Sequence, residues 1–242
     1  MVKVLNHQKL IQQEFVGKKC TNTINIIMTN MRTEFKDANE AFFYFYDLIR
    51  YTGVDFDNTK ALFNVGFTIK EPLHHLIHTD FRKWNAKYAE REWRWYLSGD
   101  PNAEEIAKKA PIWYHHMDAN KEVRSNYGWQ WKRKNQLDYI INRLMCNKQT
   151  RQAAITIYDA KEWPTYQHDT PCTYAVQFTI LNDKLNMSVL MRSNDLWFGF
   201  CNDQYCFSLL QKKVAKELNI EIGEYYHFAH NFHLYNDKLN EK

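Results

Sequence analysis

Glycine and proline are scarce in this sequence, which has 7 Gly and 5 Pro among its 242 residues. The chain also lacks a Pro- or Ser-rich linker and any low-complexity segment, which argues against a disordered or repeat protein. It lacks an apolar run of about 20 residues, the length of a membrane-spanning helix, and its N-terminus lacks the apolar core of a signal peptide. We therefore expect a cytoplasmic protein with no membrane partner.

Cysteine and histidine are present without a metal-binding pattern. The 5 cysteines form no CxxC pair and are odd in number, so neither a disulfide framework nor a zinc ribbon is indicated. The segment HHLIH (74–78) lacks the glutamate of a zincin motif. In HFAHNFH (227–233), strand alternation predicts His227 and His233 on one face and His230 on the other. No metal cofactor is expected.

Charge of one sign is not in large excess, since the formal net charge is +4. The longest basic cluster is WQWKRK (129–134). This mild excess permits an anionic ligand but does not require a nucleic-acid polymer as partner. Apolar residues are plentiful, with 45% hydrophobic and 16% aromatic residues. They can form one sizeable core, and we expect a single domain over residues 1–242.

The spacing of apolar residues changes along the chain from helical to strand periodicity and back. Helical spacing predicts helices at 38–50, 80–97, 135–145 and 203–218. Period-two spacing and β-branched residues predict strands at 61–69, 153–158, 172–181, 185–193 and 224–235. Because helices and strands do not alternate regularly, the α+β class is favoured over α/β.

Cys172 opens a predicted strand, and two interpretations of it stay open. A lone cysteine is most often a buried structural residue. Alternatively, its thiol faces a pocket and acts as a nucleophile, which requires nearby positive charge to lower its pKa from about 8.5. Arg192, at the end of the strand expected beside it, can supply that charge.

Glu92 lies in the predicted helix 80–97 on a ridge with Tyr88 and Tyr96, because residues four apart share a helix face. Burial among aromatic rings raises the pKa of a carboxyl group, which suits proton transfer. The alternative is a surface glutamate paired with Arg91 or Arg94.

Polar residues at strand ends suggest binding of a phosphorylated sugar. Arg151 precedes one strand and Arg192-Ser193 closes another, and guanidinium groups match phosphate oxygens. On the last strand, alternation groups His233 with Asn231 and Tyr235, a face that suits hydrogen bonding to a sugar. Phe232 and Leu234 are expected on the opposite face, with Tyr226 and Phe228.

The segments TPC (170–172), MRSNDLWFGF (191–200) and FHLY (232–235), in this order and spacing, resemble the thymidylate synthase and pyrimidine-nucleotide hydroxymethylase family. Within that family the sequence is most similar to the phage hydroxymethylases. The resemblance implies a homodimeric α+β fold, in which a mixed β-sheet has flanking helices and one sheet face forms the dimer interface. It also implies a pyrimidine deoxynucleoside monophosphate as substrate and 5,10-methylenetetrahydrofolate as cosubstrate.

The resemblance also implies roles for the reacting groups. Cys172 matches the nucleophile that adds to carbon 6 of the pyrimidine, Glu92 the general acid/base, and Tyr127 a tyrosine near the reacting carbon. Addition at carbon 6 makes carbon 5 carbanion-like, so that it can attack the folate-borne one-carbon unit.

Binding roles follow from the same resemblance. Arg192 and Ser193 match phosphate ligands, and Arg151 matches an arginine that reaches the phosphate of the partner subunit. His233 and Tyr235 match contacts to the sugar hydroxyl. Trp113 and Asp195 match positions at the folate site.

Three departures from the family pattern matter. Gln152 replaces the second arginine of an Arg-Arg pair, and the N-terminal arginine-bearing phosphate loop is not recognisable at 53–63. The sequence also ends seven residues after Tyr235, where thymidylate synthases continue with a tail that closes over the folate. Because that closure excludes water, its absence favours hydroxymethylation over methylation.

Asp203 indicates which base is bound. It takes the place of the asparagine that recognises uracil in thymidylate synthases. A carboxylate only accepts hydrogen bonds, which matches the amino group of cytosine. The alternative is a helix N-cap, a role that Asn202 can also fill.

The expected activity is therefore hydroxymethylation of dCMP by a folate-dependent one-carbon transferase. The alternatives within the family are a deoxyuridylate hydroxymethylase and a thymidylate or methyl-dCMP synthase. Outside it, a homologue that binds nucleotide without catalysis, or a single-strand-binding module, stays open.

Overall fold

A mixed β-sheet is the centre of the computed structural model, which describes residues 31–166 and 168–242. In the described part of the chain the sheet has seven strands in the order β1-β3-β7-β6-β5-β4, with β2 paired to β3. The pairs β1–β3 and β6–β7 are parallel and the others antiparallel. The strands are β1 (Glu34–Phe35), β2 (Val54–Phe56), β3 (Thr59–Ile69), β4 (Ala154–Thr156), β5 (Thr173–Leu181), β6 (Lys184–Asp195) and β7 (Glu221–Tyr235).

Helices flank this sheet, so the predicted α+β class with a mixed sheet is confirmed. They are α1 (Ala38–Thr52), α2 (Ala86–Ser98), α3 (Glu104–Ala107), α4 (Ile112–His116), α5 (Tyr127–Lys132), α6 (Gln136–Cys146) and α7 (Cys201–Glu217). The four predicted helices correspond to α1, α2, α6 and α7. Patterning missed α3, α4 and α5 because each is six residues or fewer, too short to show a helical period.

The main core lies between the sheet and helices α1 and α7. Phe45 of α1, Phe67 of β3 and Phe232 of β7 are fully buried, and their rings contact one another. Phe200, which precedes α7, closes the cluster against Phe67 and Phe232. Aromatic packing of this kind is the main use of the high aromatic content.

Helix α2 begins later than predicted. Its first residue is Ala86, not a residue near position 80, because the Asn85 side chain accepts a hydrogen bond from the Tyr88 amide as N-cap. The preceding segment is folded by Thr79, whose hydroxyl bonds the backbone of Arg82. The helix ends at Gly99, which has the left-handed φ of 69° that favours glycine.

Strict alternation along β7 was wrong for its last third. Phe232 and Leu234 are buried, and the ring of Phe232 lies 5.8 Å from that of His227, so they share the core with it. The alternation shifts by one residue opposite Asn64 of β3, whose φ of 56° is left-handed and whose side chain bonds His230. Asn231, His233 and Tyr235 therefore leave the core face together.

The N-cap interpretation of Asp203 was also wrong. A π-helical turn, Leu196–Phe200, precedes α7, and the Asp195 carboxylate caps it by accepting hydrogen bonds from the amides of Trp197, Phe198 and Gly199. Asn202 is not the cap either, because its side chain accepts from the indole of Trp84. Asp203 thus lies inside α7 and does not cap it.

Three expectations concern the chain as a whole. The prediction of one domain over 1–242 includes residues 1–30, which lie outside the described residues, and it stays a prediction. No helix in the described ranges has the length and apolar character needed to cross a membrane. Within the same ranges no cluster of His, Cys, Asp and Glu has the arrangement of a metal site.

Candidate active site

Cys172 and Arg192 lie together where β5 and β6 meet. The Arg192 guanidinium donates to the carbonyl oxygens of Thr170 and Pro171 at 2.8 and 3.0 Å, and its Nη2 lies 3.8 Å from Cys172 Sγ. These bonds hold the guanidinium beside the sulfur. Burial raises the pKa of the Cys172 thiol to about 12, and the Arg192 charge opposes that rise.

Three carboxyl groups also affect the Cys172 thiol. The charges of Asp203, Asp169 and Asp195 also raise the pKa of Cys172. At neutral pH Cys172 is therefore a thiol, and Arg192 can stabilise the thiolate when it forms. Asp169 did not come out of the sequence patterns, although it lies three residues before Cys172.

Glu92 is buried in α2, with 5% of its surface exposed. Tyr96 donates a hydrogen bond of 2.7 Å to Oε1, whereas Oε2 has no hydrogen-bond partner among the described residues. Burial raises the pKa of Glu92 to about 7, and the hydroxyls of Tyr96 and Tyr88 oppose that rise. A carboxyl group with such a pKa can give and take a proton near neutral pH. The alternative of a surface glutamate was wrong, because Arg94 pairs with Glu90.

Tyr127 begins α5 next to Tyr96. The two rings lie 5.6 Å apart, and Asn126 caps the helix by accepting from the Trp129 amide. Gly128 makes the close approach possible, because a Cβ there would lie 1.8 Å from the Tyr96 carbonyl oxygen. Burial, followed by the charges of Asp203 and Cys172, raises the pKa of the Tyr127 hydroxyl. The hydroxyl is therefore neutral and can donate a hydrogen bond.

Asp203 is hydrogen-bonded to Asn194, a residue that patterning missed. Asn194 Nδ2 donates to Asp203 Oδ2 at 2.7 Å, and Asn194 is 2% exposed. Burial and the nearby Glu92 charge raise the pKa of Asp203 well above its usual range. The position of Asn194 inside MRSNDLWFGF was the available signal, but nothing in the sequence linked it to a residue nine positions away.

His233, Asn231 and Tyr235 form the expected polar group at the end of β7. His233 Nδ1 lies 2.8 Å from Asn231 Oδ1, and the His233 and Tyr235 rings are 5.5 Å apart. The register between β6 and β7 pairs Ser193 with Asn231 and Asp195 with His233. The end of β6 and the end of β7 therefore present their polar side chains side by side.

Trp113 is joined to Glu92 through Tyr88. Its indole donates a hydrogen bond of 2.8 Å to the Tyr88 hydroxyl. That hydroxyl is one of the two groups that oppose the rise in the pKa of Glu92. This series of contacts connects α4, which carries Trp113, to Glu92. Arg151 is not part of the cluster, since it is exposed before β4 and no hydrogen bond or ion pair in the described ranges connects it to these residues.

A family model described as thymidylate synthase matches residues 52–242. The chain is 34% identical to the deoxycytidylate 5-hydroxymethyltransferase of Enterobacteria phage T4 over 180 residues, 69% of this chain and 68% of that protein. It is 29% identical to the thymidylate synthase of Fusobacterium nucleatum subsp. nucleatum, over 69% of this chain and 64% of the relative. It is also 29% identical to the deoxyuridylate hydroxymethyltransferase of Pseudomonas phage M6, over 70% and 50% of the two chains.

The chain belongs to the thymidylate synthase family. The resemblance that the sequence motifs indicated is therefore confirmed, and so is the enzyme class, a folate-dependent one-carbon transferase acting on pyrimidine nucleotides. Similar identities to proteins named for three different reactions leave the substrate and the product to be argued from the site itself.

Proposed function

We propose that this enzyme is a deoxycytidylate 5-hydroxymethyltransferase, which converts dCMP, 5,10-methylenetetrahydrofolate and water to 5-hydroxymethyl-dCMP and tetrahydrofolate. The observation that carries the proposal is the Asp203 carboxyl group and its bond from Asn194. The 34% identity to the phage T4 enzyme, whose name states this reaction, supports it.

Selection between cytosine and uracil depends on which carboxyl oxygen of Asp203 carries a proton. Because Asn194 donates to Oδ2, Oδ2 is an acceptor and any proton is carried by Oδ1. The raised pKa of Asp203 favours that protonated form. In our proposal Oδ2 accepts from the 4-amino group of cytosine while Oδ1 donates to ring nitrogen 3. Uracil requires the opposite order of donor and acceptor, so it is disfavoured.

The covalent step uses Cys172. The sulfur adds to carbon 6 of the base, and Arg192, 3.8 Å away, stabilises the thiolate as the proton leaves. Electron density then moves to carbon 5, which attacks the one-carbon unit. Glu92, with a pKa of about 7, gives protons to the pyrimidine ring and takes them from it during these steps. The Tyr127 ring packs beside Tyr96, the hydrogen-bond partner of Glu92, and in our proposal its neutral hydroxyl donates a hydrogen bond during these steps.

Nucleotide binding is assigned to the ends of β6 and β7. Arg192 and Ser193 contact the phosphate, and His233 and Tyr235 contact the sugar hydroxyl. The side-by-side register of Ser193 and Asn231 supports this assignment, because it puts both ligand sets on one edge of the sheet. A phosphate oxygen and a sugar hydroxyl of one nucleotide can then be bound simultaneously.

The residues present fit a folate as cosubstrate. Trp113 supplies an aromatic surface beside Tyr88 and Glu92, and Phe198, 52% exposed, supplies another next to Asp195. Asp195 holds the backbone of that turn through three amides, so we assign it a positioning role at the folate side. When bound, methylenetetrahydrofolate supplies the one-carbon unit. No metal is needed in this scheme.

A homodimer completes the site in our proposal, because Arg151 is remote from Cys172 in its own chain and is assigned to the partner's phosphate. The sheet face opposite the main core exposes Leu190 and Tyr226, each at 37%. We expect a solution mass of twice 29.2 kDa. Leu190→Glu should give monomers that lose activity, and analytical ultracentrifugation measures the change. Full activity as a monomer would contradict the dimer.

Mass spectrometry of the products tests the whole proposal. The enzyme is incubated with methylenetetrahydrofolate and either dCMP or dUMP, and we expect hydroxymethyl-dCMP with no dihydrofolate. Asp203→Asn should shift preference towards dUMP, because an amide can donate to the uracil carbonyl. A methylated product with dihydrofolate would instead identify a synthase. An unchanged preference in Asp203→Asn would remove the basis for choosing dCMP.

A further inference from the structure

The scheme above leaves the carboxylate of Asp169 without a role, although it is held firmly at the site. Ser125 Oγ donates a hydrogen bond to Asp169 Oδ2. His116 Nδ1 faces the other oxygen, Oδ1, at 3.9 Å. Ser125 directly precedes the α5 cap Asn126, so the bond ties the loop before Cys172 to the start of α5.

Two observations describe the surroundings of this carboxylate. Asp169 precedes Cys172 by three residues, and its charge acts on both Cys172 and Tyr127. On its other side, the ring of His116 lies 5.7 Å from that of Trp113, which we assign to the folate side. Asp169 is therefore close along the chain to the nucleophile, and His116 connects it to the indole that we assign to the folate side.

The other carboxyl groups near Cys172 also accept hydrogen bonds from the protein. Glu92 accepts from Tyr96, Asp203 from Asn194, and Asp195 from three backbone amides. Asp169 differs from the buried Glu92 because 26% of its side chain is exposed, so that water can reach it while Ser125 fixes its direction.

We propose that Asp169 is a catalytic base that takes the proton from the water molecule that becomes the new hydroxyl group. This proposal rests on the proposed hydroxymethylation. At this stage the pyrimidine ring is bonded to Cys172 through carbon 6 and carries an exocyclic methylene at carbon 5. The water oxygen bonds to that methylene carbon, one O–H bond breaks and its proton moves to the Asp169 carboxylate.

The remaining electrons balance without an oxidant or reductant. The π electron pair of the exocyclic double bond moves to carbon 5 and then forms the carbon 5–carbon 6 double bond. The carbon 6–sulfur bond breaks, and its electron pair leaves with Cys172 as thiolate. The proton on Asp169 is released to the thiolate or to solvent, so one water is consumed for each hydroxymethyl group formed.

Asp169→Asn tests the proposal because asparagine still accepts the Ser125 hydrogen bond but cannot take the proton. The variant is given dCMP tritiated at carbon 5 and methylenetetrahydrofolate. We expect about one tritium released per site in a burst, and accumulation of a protein–nucleotide adduct in denaturing intact-protein mass spectrometry. Hydroxymethyl-dCMP formation should fall by about 100-fold or more, the usual contribution of a positioned base. The burst itself shows that the variant is folded.

Control variants narrow the interpretation. Asp138→Asn changes an exposed carboxylate of α6 and should leave turnover unchanged. Added formate should partly restore Asp169→Ala, because the site is accessible to a small carboxylate. An unchanged product rate in Asp169→Asn, or equal losses of tritium release and product, would overturn the role of Asp169 alone. A methylated product from the unaltered enzyme would overturn both proposals.

Discussion

The side-chain amide of Asn194 donates a 2.7 Å hydrogen bond to Asp203, and the backbone of Gly199 lies directly against the pair. A Cβ at residue 199 would lie 2.9 Å from Asn194 Nδ2, so a larger residue would crowd the Asn194 amide. Asn194 and Asp203 are the pair that we assign to recognition of the base. In that proposal two side chains, not one, define the order of donor and acceptor.

We predict that Asn194→Ala weakens discrimination between the bases. Without the amide donor, the proton on Asp203 can occupy either oxygen, so the ratio of kcat/KM for dCMP over dUMP should fall about tenfold, equivalent to about 1.4 kcal/mol. The control is Ser188→Ala on the same strand, which should retain the ratio. Equal losses for both nucleotides in Asn194→Ala would show that Asn194 affects catalysis and not selection.

We predict that Glu92→Gln stabilises the folded protein at alkaline pH while abolishing turnover. The folded-state pKa of Glu92 is about 7, above its ordinary value of 4.5, so the folded protein binds this proton more tightly than the unfolded chain. Ionisation of Glu92 therefore lowers the free energy of unfolding as pH rises from 4.5 to 7, by a few kcal/mol in total.

Urea unfolding at pH 4.5 and pH 8 checks this linkage. Glu92→Gln should exceed the unaltered protein in stability at pH 8, and the difference should shrink at pH 4.5. Glu105→Gln, at an exposed position of α3, serves as the matched control and should show no such pH dependence. A destabilisation of Glu92→Gln that is equal at both pH values would contradict the buried, high-pKa carboxyl group.

We predict that Tyr96→Phe moves the pH dependence of catalysis upward. The Tyr96 hydroxyl donates to Glu92 and favours its ionised form, so removing the hydroxyl should raise the pKa of Glu92 further above 7. The limb of the kcat/KM profile that reports Glu92 should shift to higher pH. Tyr51→Phe, at an exposed position of α1, should leave the profile in place. An unmoved limb in Tyr96→Phe would mean that another group limits the rate.

We predict that Cys172→Ala abolishes turnover, by more than 10⁴-fold, while dCMP still binds. Because burial raises the pKa of this thiol to about 12, Cys172 should also react slowly with iodoacetamide at pH 8, more slowly than the exposed Cys146. Arg192→Gln should slow alkylation of Cys172 further, since it removes the charge that opposes the rise in pKa. Surviving activity in Cys172→Ala would exclude the covalent route.

The fold class and the family could be predicted from local signals in the sequence, and most residues of the candidate site were named from the same signals. Motifs such as TPC and MRSNDLWFGF indicated the family, and helical and strand periodicities located α1, α2, α6, α7 and the long strands. These signals succeed because each depends on residues within about a dozen positions of one another. The i, i+4 spacing put Glu92 on a ridge with Tyr88 and Tyr96 but left its burial open, and the structure shows that it is buried.

Other features could not be predicted because they depend on contacts distant in sequence or on interrupted periodicity. Phe232 faces the core because Asn64, in another strand, shifts the alternation of β7. The start of α7 is set by Asp195 and a π-helical turn, which no helical period reveals.

The sequence by itself determined the family, the enzyme class and which residue types are available, because the order and spacing of motifs can be recognised without knowing how the chain packs. Only the tertiary structure decided what those residues can do. Packing buries Glu92 against Tyr96 and brings Arg192 to the sulfur of Cys172. It also brings Asn194 to Asp203 and Ser125 to Asp169, pairs that are nine and 44 residues apart. Whether a carboxyl or thiol group in the site holds its proton depends on burial and on neighbouring hydrogen-bond donors and charges. These surroundings exist only in the folded chain.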